Sequence, residues 1–118
     1  MILPPAGRMR VLVATKPVDF RKGMGGLAAL AQEQLQLDPF AGTVLVFRAK
    51  RADRMKILLW DGSGMVLIGK RLDEGRFAWP AVKDGVMTLS TAQRAALFEG
   101  PDWRRVHARR IRRPSLAG

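Results

Sequence analysis

Between residues 43 and 72 the sequence offers three β-prone runs separated by short breaks, and this spacing most narrows the possible folds. Thr43 to Phe47 is almost wholly apolar, Met55 to Trp60 follows, and Met65 to Lys70 is the third. Asp61-Gly62-Ser63-Gly64 lies between the second and third runs. Its glycines tolerate the positive φ that a tight hairpin demands, so these two runs pair antiparallel. Arg48-Ala49-Lys50-Arg51-Ala52-Asp53-Arg54 forms the other turn. Three strands joined by short turns make a β-meander.

The flanking segments add helices. Met9 to Ala14 is a short valine-containing run, expected as a strand, after an opening arm of seven residues. Pro17 and Gly23 break the next stretch into a loop. Met24, Leu27, Ala28, Ala31 and Leu35 recur at helical spacing, and Asp38-Pro39 stops that helix. It is expected to cover one face of the sheet. Arg76 to Trp79 is expected as a short fourth strand and Val86 to Leu89 as one more. Ser90 or Thr91 caps a second helix running to Phe98, ended by Gly100-Pro101. The fold class is α+β: a single domain over residues 8–100, an antiparallel meander with a helix near the N-terminus and one near the C-terminus. Residues 101–118 form an arginine-rich tail.

Charge then limits function. The chain has 118 residues, with 21 Lys+Arg against 10 Asp+Glu, a formal +11. Such a surplus repels itself unless a polyanion offsets it, and nucleic acid is the usual partner. Hydrophobic residues are 47% of the chain, enough for a core. No apolar run is long enough to span a membrane, and the proline-broken start does not suit a signal peptide. The absence of cysteine removes thiolate metal sites and thiol nucleophiles and fits a cytoplasmic location.

Two basic clusters are the candidate DNA-binding residues. Arg48, Lys50, Arg51, Arg54 and Lys56 lie in and beside the first hairpin turn, opposed only by Asp53. Arg104, Arg105, Arg109, Arg110, Arg112 and Arg113 fill the tail, where arginine forks suit phosphates. Lys16, Arg21 and Lys22 extend the surface from the loop before the first helix. The bland alternative for the hairpin is a solvated turn, and for the tail a solvated arm. Trp79 is the aromatic expected to lie exposed beside charge, although base stacking there is not the default.

Enzymatic constellations are weak. Gly23-Met24-Gly25-Gly26-Leu27-Ala28 matches a dinucleotide-binding pattern, but the preceding strand ends too early, and Arg48 stands where an acid would hold a ribose. These glycines are expected to open a helix instead. Most acids fall in turns or at helix ends. Asp19 with Asp61 is the one pair worth testing for a metal-dependent nuclease. His107 lies in the tail, and there is no Tyr. No catalytic residue, metal or cofactor is expected, and no small-molecule substrate.

Several segments in order are distinctive: Pro17-Val18-Asp19-Phe20-Arg21-Lys22-Gly23, Leu37-Asp38-Pro39-Phe40-Ala41-Gly42, the run Val46 to Leu58, Trp60-Asp61-Gly62, Lys70 to Phe77 with Trp79-Pro80, and Leu97-Phe98-Glu99-Gly100 before Trp103-Arg104. Over about residues 9–105 this pattern resembles the accessory (TnpB) proteins of the insertion-sequence-sixty-six family of bacterial transposable elements, distinct from the RNA-guided nuclease sharing that name. The resemblance implies a non-catalytic role in transposition beside a separate, larger transposase. It supplies no agreed set of functional residues. Two mechanisms remain: electrostatic DNA binding, at the element ends, through the hairpin and tail; or a protein–protein adaptor that docks on the transposase through an exposed Trp79-Pro80 or an unpaired edge strand.

Overall fold

A computed structural model of the chain describes residues 10–81 and 85–99. The elements in order are β1 (Val11–Ala14), α1 (Met24–Glu33), β2 (Val44–Arg48), β3 (Arg54–Trp60), β4 (Met65–Arg71), β5 (Val86–Thr88) and α2 (Thr91–Glu99). They form one five-stranded sheet in the order β4-β3-β2-β1-β5. The α+β class, the central meander and the two helices are as the sequence led one to expect. The strand expected at Arg76 to Trp79 does not form. There the backbone N–H of Phe77 donates to Ala52 O and that of Trp79 to Phe77 O. These bonds leave an extended strap outside any ladder.

The sheet is not wholly antiparallel. β1 pairs with β2 in parallel, Val11 opposite Val44 and Ala14 opposite Phe47. Parallel neighbours need a long crossover, and α1 with its flanking loops provides it. β2–β3, β3–β4 and β1–β5 pair antiparallel. After β4 the chain crosses the sheet to the far side of β1, so the strap and β5 follow from one connection.

Both sheet faces are covered, which explains why β1 and β2 are continuous apolar runs and not alternating ones. On one face Leu27 and Ala31 of α1 pack on Leu12, Ala14, Leu45, Phe47 and Leu58. On the other, Phe77 of the strap, Leu89 and Leu97 of α2 pack on Val11, Val13, Val44, Val46, Met55 and Leu59. Side chains alternate along each strand, so Arg54, Lys56 and Leu58 share the α1 face. Gly26 lets α1 close on its approach loop, because a Cβ there would lie 3.2 Å from Lys22 Cβ. Ser90 and Gln93 close a capping box on α2: Gln93 N–H donates to Ser90 Oγ at 3.1 Å, and Ser90 N–H to Gln93 Oε1 at 2.9 Å. Among the described residues no helix is long and apolar enough to cross a membrane.

Candidate nucleic-acid interface

The row Ala14, Phe47, Lys56 and Gly69 runs across four strands. Beyond it, at one end of the sheet, lie Lys16 after β1, Arg48, Lys50 and Arg51 after β2, Arg54 at the start of β3, and Lys70 and Arg71 at the end of β4. The strap brings Arg76 to the same end, since its neighbour Phe77 bonds to Ala52. Arg21 and Lys22 join them, because Val18 N–H donates to Arg48 O and Lys56 Nζ donates to the carbonyls of Phe20 and Lys22. Among the described residues, every lysine and arginine except Arg10 and Arg94 is therefore at this end.

The α1 N-terminus opens here too. Gly23 is its N-cap and makes no side-chain capping bond. The first-turn N–H groups have no intrahelical partner and carry the positive end of the helix dipole. The Gly23 to Ala28 pattern thus opens a helix, as expected, on the basic side of the molecule.

The cations differ in how they are held. Lys56 is a tether: its ammonium donates to Phe20 O at 2.7 Å and Lys22 O at 3.0 Å, 5.1 Å from the Phe20 ring centroid. Arg48 lies over the Trp79 ring at 5.4 Å and donates to Ala49 O. Arg21 grips Asp19 through Nε and Nη2, with the shortest contact 2.8 Å. Those hydrogen bonds, followed by the one from the Arg21 backbone N–H, lower the Asp19 pKa to about 2. Asp53 is shared between Arg51 at 3.6 Å and Arg54 at 3.8 Å. Lys70 donates to Phe98 O at 2.7 Å from the opposite face. Lys16, Lys22, Lys50, Arg71 and Arg76 are exposed.

Trp79 is beside charge, but it is half-buried and not a free stacking platform. Its indole N–H donates to Ala52 O and its ring meets Phe77 edge-on at 5.6 Å. The Asp19 and Asp61 pair is not assembled. Asp19 sits by the basic end, whereas Asp61 follows β3 at the other, six residues from Met55 or about 20 Å of extended strand. Asp61 accepts the backbone N–H groups of Ser63 and Gly64, then the Ser63 hydroxyl, and these bonds hold its carboxyl below the usual range. Gly62 takes φ 101° in that turn. Among the described residues no group of three or more His, Cys, Asp or Glu side chains is placed to hold a metal ion.

Sequence reasoning named Arg48, Lys50, Arg51, Arg54, Lys56, Arg21 and Lys22, and the fold brings them together. Arg104, Arg105, Arg109, Arg110, Arg112 and Arg113 lie outside the described residues. Lys70, Arg71 and Arg76 were missed. A signal existed for Arg71: the hairpin turn sets Trp60 opposite Met65, and counting back along both strands sets Arg54 opposite Arg71.

No solved structure matches the chain. Two proteins of Sinorhizobium fredii (strain NBRC 101917 / NGR234) are similar over nearly their whole length. The uncharacterized protein y4jC is 46% identical over 114 residues, covering 97% of each chain. The uncharacterized protein y4hO is 40% identical over 117 residues, covering 99% of this chain and 100% of its own. The family model described as IS66 Orf2 like protein matches residues 9–108, a span that contains the whole sheet, both helices and every cation of the basic end. The chain therefore belongs to the IS66 Orf2-like family, whose members have an accessory role associated with transposition.

Proposed function

We propose that this protein binds DNA electrostatically and assists a separate transposase without catalysing a step itself. The observation that carries this reading is the convergence of cations from six separate segments on one end of the sheet, beside the open N-terminus of α1. Phosphates would supply the negative charge that Asp19 and Asp53 supply only in part. The arginine tail, which starts two residues after α2, adds six more cations to the same chain. Contacts of this kind position a protein on a duplex and read little sequence.

The test is affinity for a duplex bearing the element's terminal sequence, and for a scrambled duplex, across a salt series. A log–log slope of about −5, corresponding to roughly six phosphates, supports the reading. Replacing Lys50 and Arg51 by Gln should flatten the slope. Absence of binding to either duplex at moderate salt would overturn it.

One observation favours a second reading, that of an adaptor docking on the transposase. Pro80 of the strap, Met87 and Leu89 near the β5 edge, and Ala96 of α2 line an open, mainly apolar cleft. Co-purification with the transposase after nuclease treatment would support this role. Loss of the association on that treatment would favour bridging by DNA.

A further inference from the structure

Two rungs of the β3–β4 ladder, one pair apart and so on the same face, combine cations with a bare backbone. Arg54 stands opposite Arg71, and Lys56 stands opposite Gly69. Residues two apart on a strand share a face, so the four positions form the corners of one patch on the α1 side. β4 is an edge strand, and Gly69 and Arg71 are both exposed.

Both sequence choices weaken the hairpin. Like charges directly opposite each other repel, and Asp53, the acid beside them, reaches Arg54 only at 3.8 Å while also facing Arg51 at 3.6 Å. Oδ1 of Asp53 and Nε of Arg54 are buried with no hydrogen-bond partner. Gly69 is costly within a strand, having neither side-chain packing nor restricted backbone freedom. It is not one of the glycines with positive φ, and a Cβ added to it would meet nothing within 4 Å. Neither turn geometry nor packing calls for glycine there.

We propose that this patch seats one backbone phosphate of DNA, with Arg54 and Arg71 as the gripping pair and Gly69 as the floor on which the phosphodiester lies. The inference rests on the DNA-binding reading and names a point of contact within it. A phosphate between the arginines turns their repulsion into two charge-assisted contacts. Gly69 leaves the space a side chain would take. Lys56 leans toward the Phe20 and Lys22 carbonyls, which use two of its three ammonium protons. Its third remains to face the anion.

The test measures duplex affinity and thermal stability together on the full chain, for wild type, Arg71→Gln and Gly69→Val. Arg71→Gln should lower affinity about tenfold. It should also reduce the magnitude of the salt slope by about 0.9, the value for one phosphate. Its Tm should hold or rise. Gly69→Val should lower affinity while raising Tm by about 2–8 °C, since a β-branched residue replaces glycine in an open strand position. Wild-type binding with both variants binding equally well would overturn the seat alone. Affinity lost in step with a lower Tm in both variants would also overturn it, because the residues would then be structural. A wild type that binds no duplex would overturn the DNA-binding reading and the seat together.

Discussion

The indole N–H of Trp79 donates to the carbonyl oxygen of Ala52 at 3.0 Å, fastening the strap after β4 to the turn between β2 and β3. The same carbonyl accepts the backbone N–H of Phe77, and Leu72 N–H donates to Asp53 O. The basic turn is thus anchored from behind by three bonds, with Arg48 laid over the Trp79 ring. Trp79→Phe keeps most of the apolar contact and removes the indole bond. We expect a loss of about 1 kcal/mol, and a Tm lower by about 4–8 °C, read from thermal melts. An unchanged Tm would mean that the indole bond adds nothing to the anchor.

Lys56 holds the loop that leads into α1. Lys56→Met keeps the length and the contact with Phe20 but abandons the Phe20 and Lys22 carbonyls. Hydrogen bonds from a charged donor are worth more than neutral ones, so unfolding free energy should fall by about 1.5–3 kcal/mol, toward the lower figure because one of these bonds is exposed. Amide exchange at Val18 and Lys22 should quicken, since the first N–H ties the loop to Arg48 O and the second closes on Asp19 O within it. Exchange as slow as in wild type would show that the loop holds without its tether.

These tethers mark where the sequence was legible and where it was not. Hairpin chemistry at Asp61 to Gly64 and helical spacing from Met24 to Ala31 are local, and both elements formed as expected. The parallel partnership of β1 with β2 was not anticipated, although a strand, a helix and a strand in succession are the parts of a crossover unit. The antiparallel expectation rested on the meander over residues 43–72 and gave the first strand no partner. The roles of Lys56 and Arg48 were hidden for another reason. A lysine in a charged cluster looks the same whether it faces solvent or a carbonyl 36 residues away. Arg71 could be reached by counting back from the Asp61 to Gly64 turn, but Arg76 joins the basic end only through the strap's bond to Ala52, which no local signal carries.

Asp19 and Arg21 give a pH-dependent prediction. The Asp19 carboxyl has its pKa lowered from 3.8 to about 2, first by the Arg21 side-chain bonds and then by the Arg21 backbone N–H. The folded value lies below the unfolded one, so the contribution to stability is present above pH 3.8 and lost as pH falls toward 2. The pair is exposed, with side chains 91% and 44% accessible, so salt should weaken it. Carboxyl NMR titration should give Asp19 a midpoint near 2 that rises on Arg21→Gln. At neutral pH Asp19→Asn should strengthen duplex binding, because Arg21 is then free to meet phosphate. A normal Asp19 midpoint would remove the ion pair from this account.

The α2 capping box makes the last prediction, through its link to β4. Ser90 Oγ and Gln93 Oε1 each accept the other residue's backbone N–H, satisfying donors that a helix start otherwise leaves bare. The helix they begin ends at Glu99, and the carbonyl of its penultimate residue, Phe98, accepts from Lys70 at 2.7 Å. Ser90→Ala should cost about 1 kcal/mol. Gln93→Ala should cost less, because it removes only the return bond and Ala favours helix. The double variant should fall short of the sum, since each bond helps position the other residue. If α2 frays, Leu97 leaves the core beneath it and Lys70 loses its carbonyl, so the Lys70 resonances should shift in Ser90→Ala although the residues lie on different elements. Chemical shifts of Lys70 identical to wild type would show that the cap steadies only the first turn and that Leu97, Phe98 and the Lys70 bond hold the far end of α2 without it.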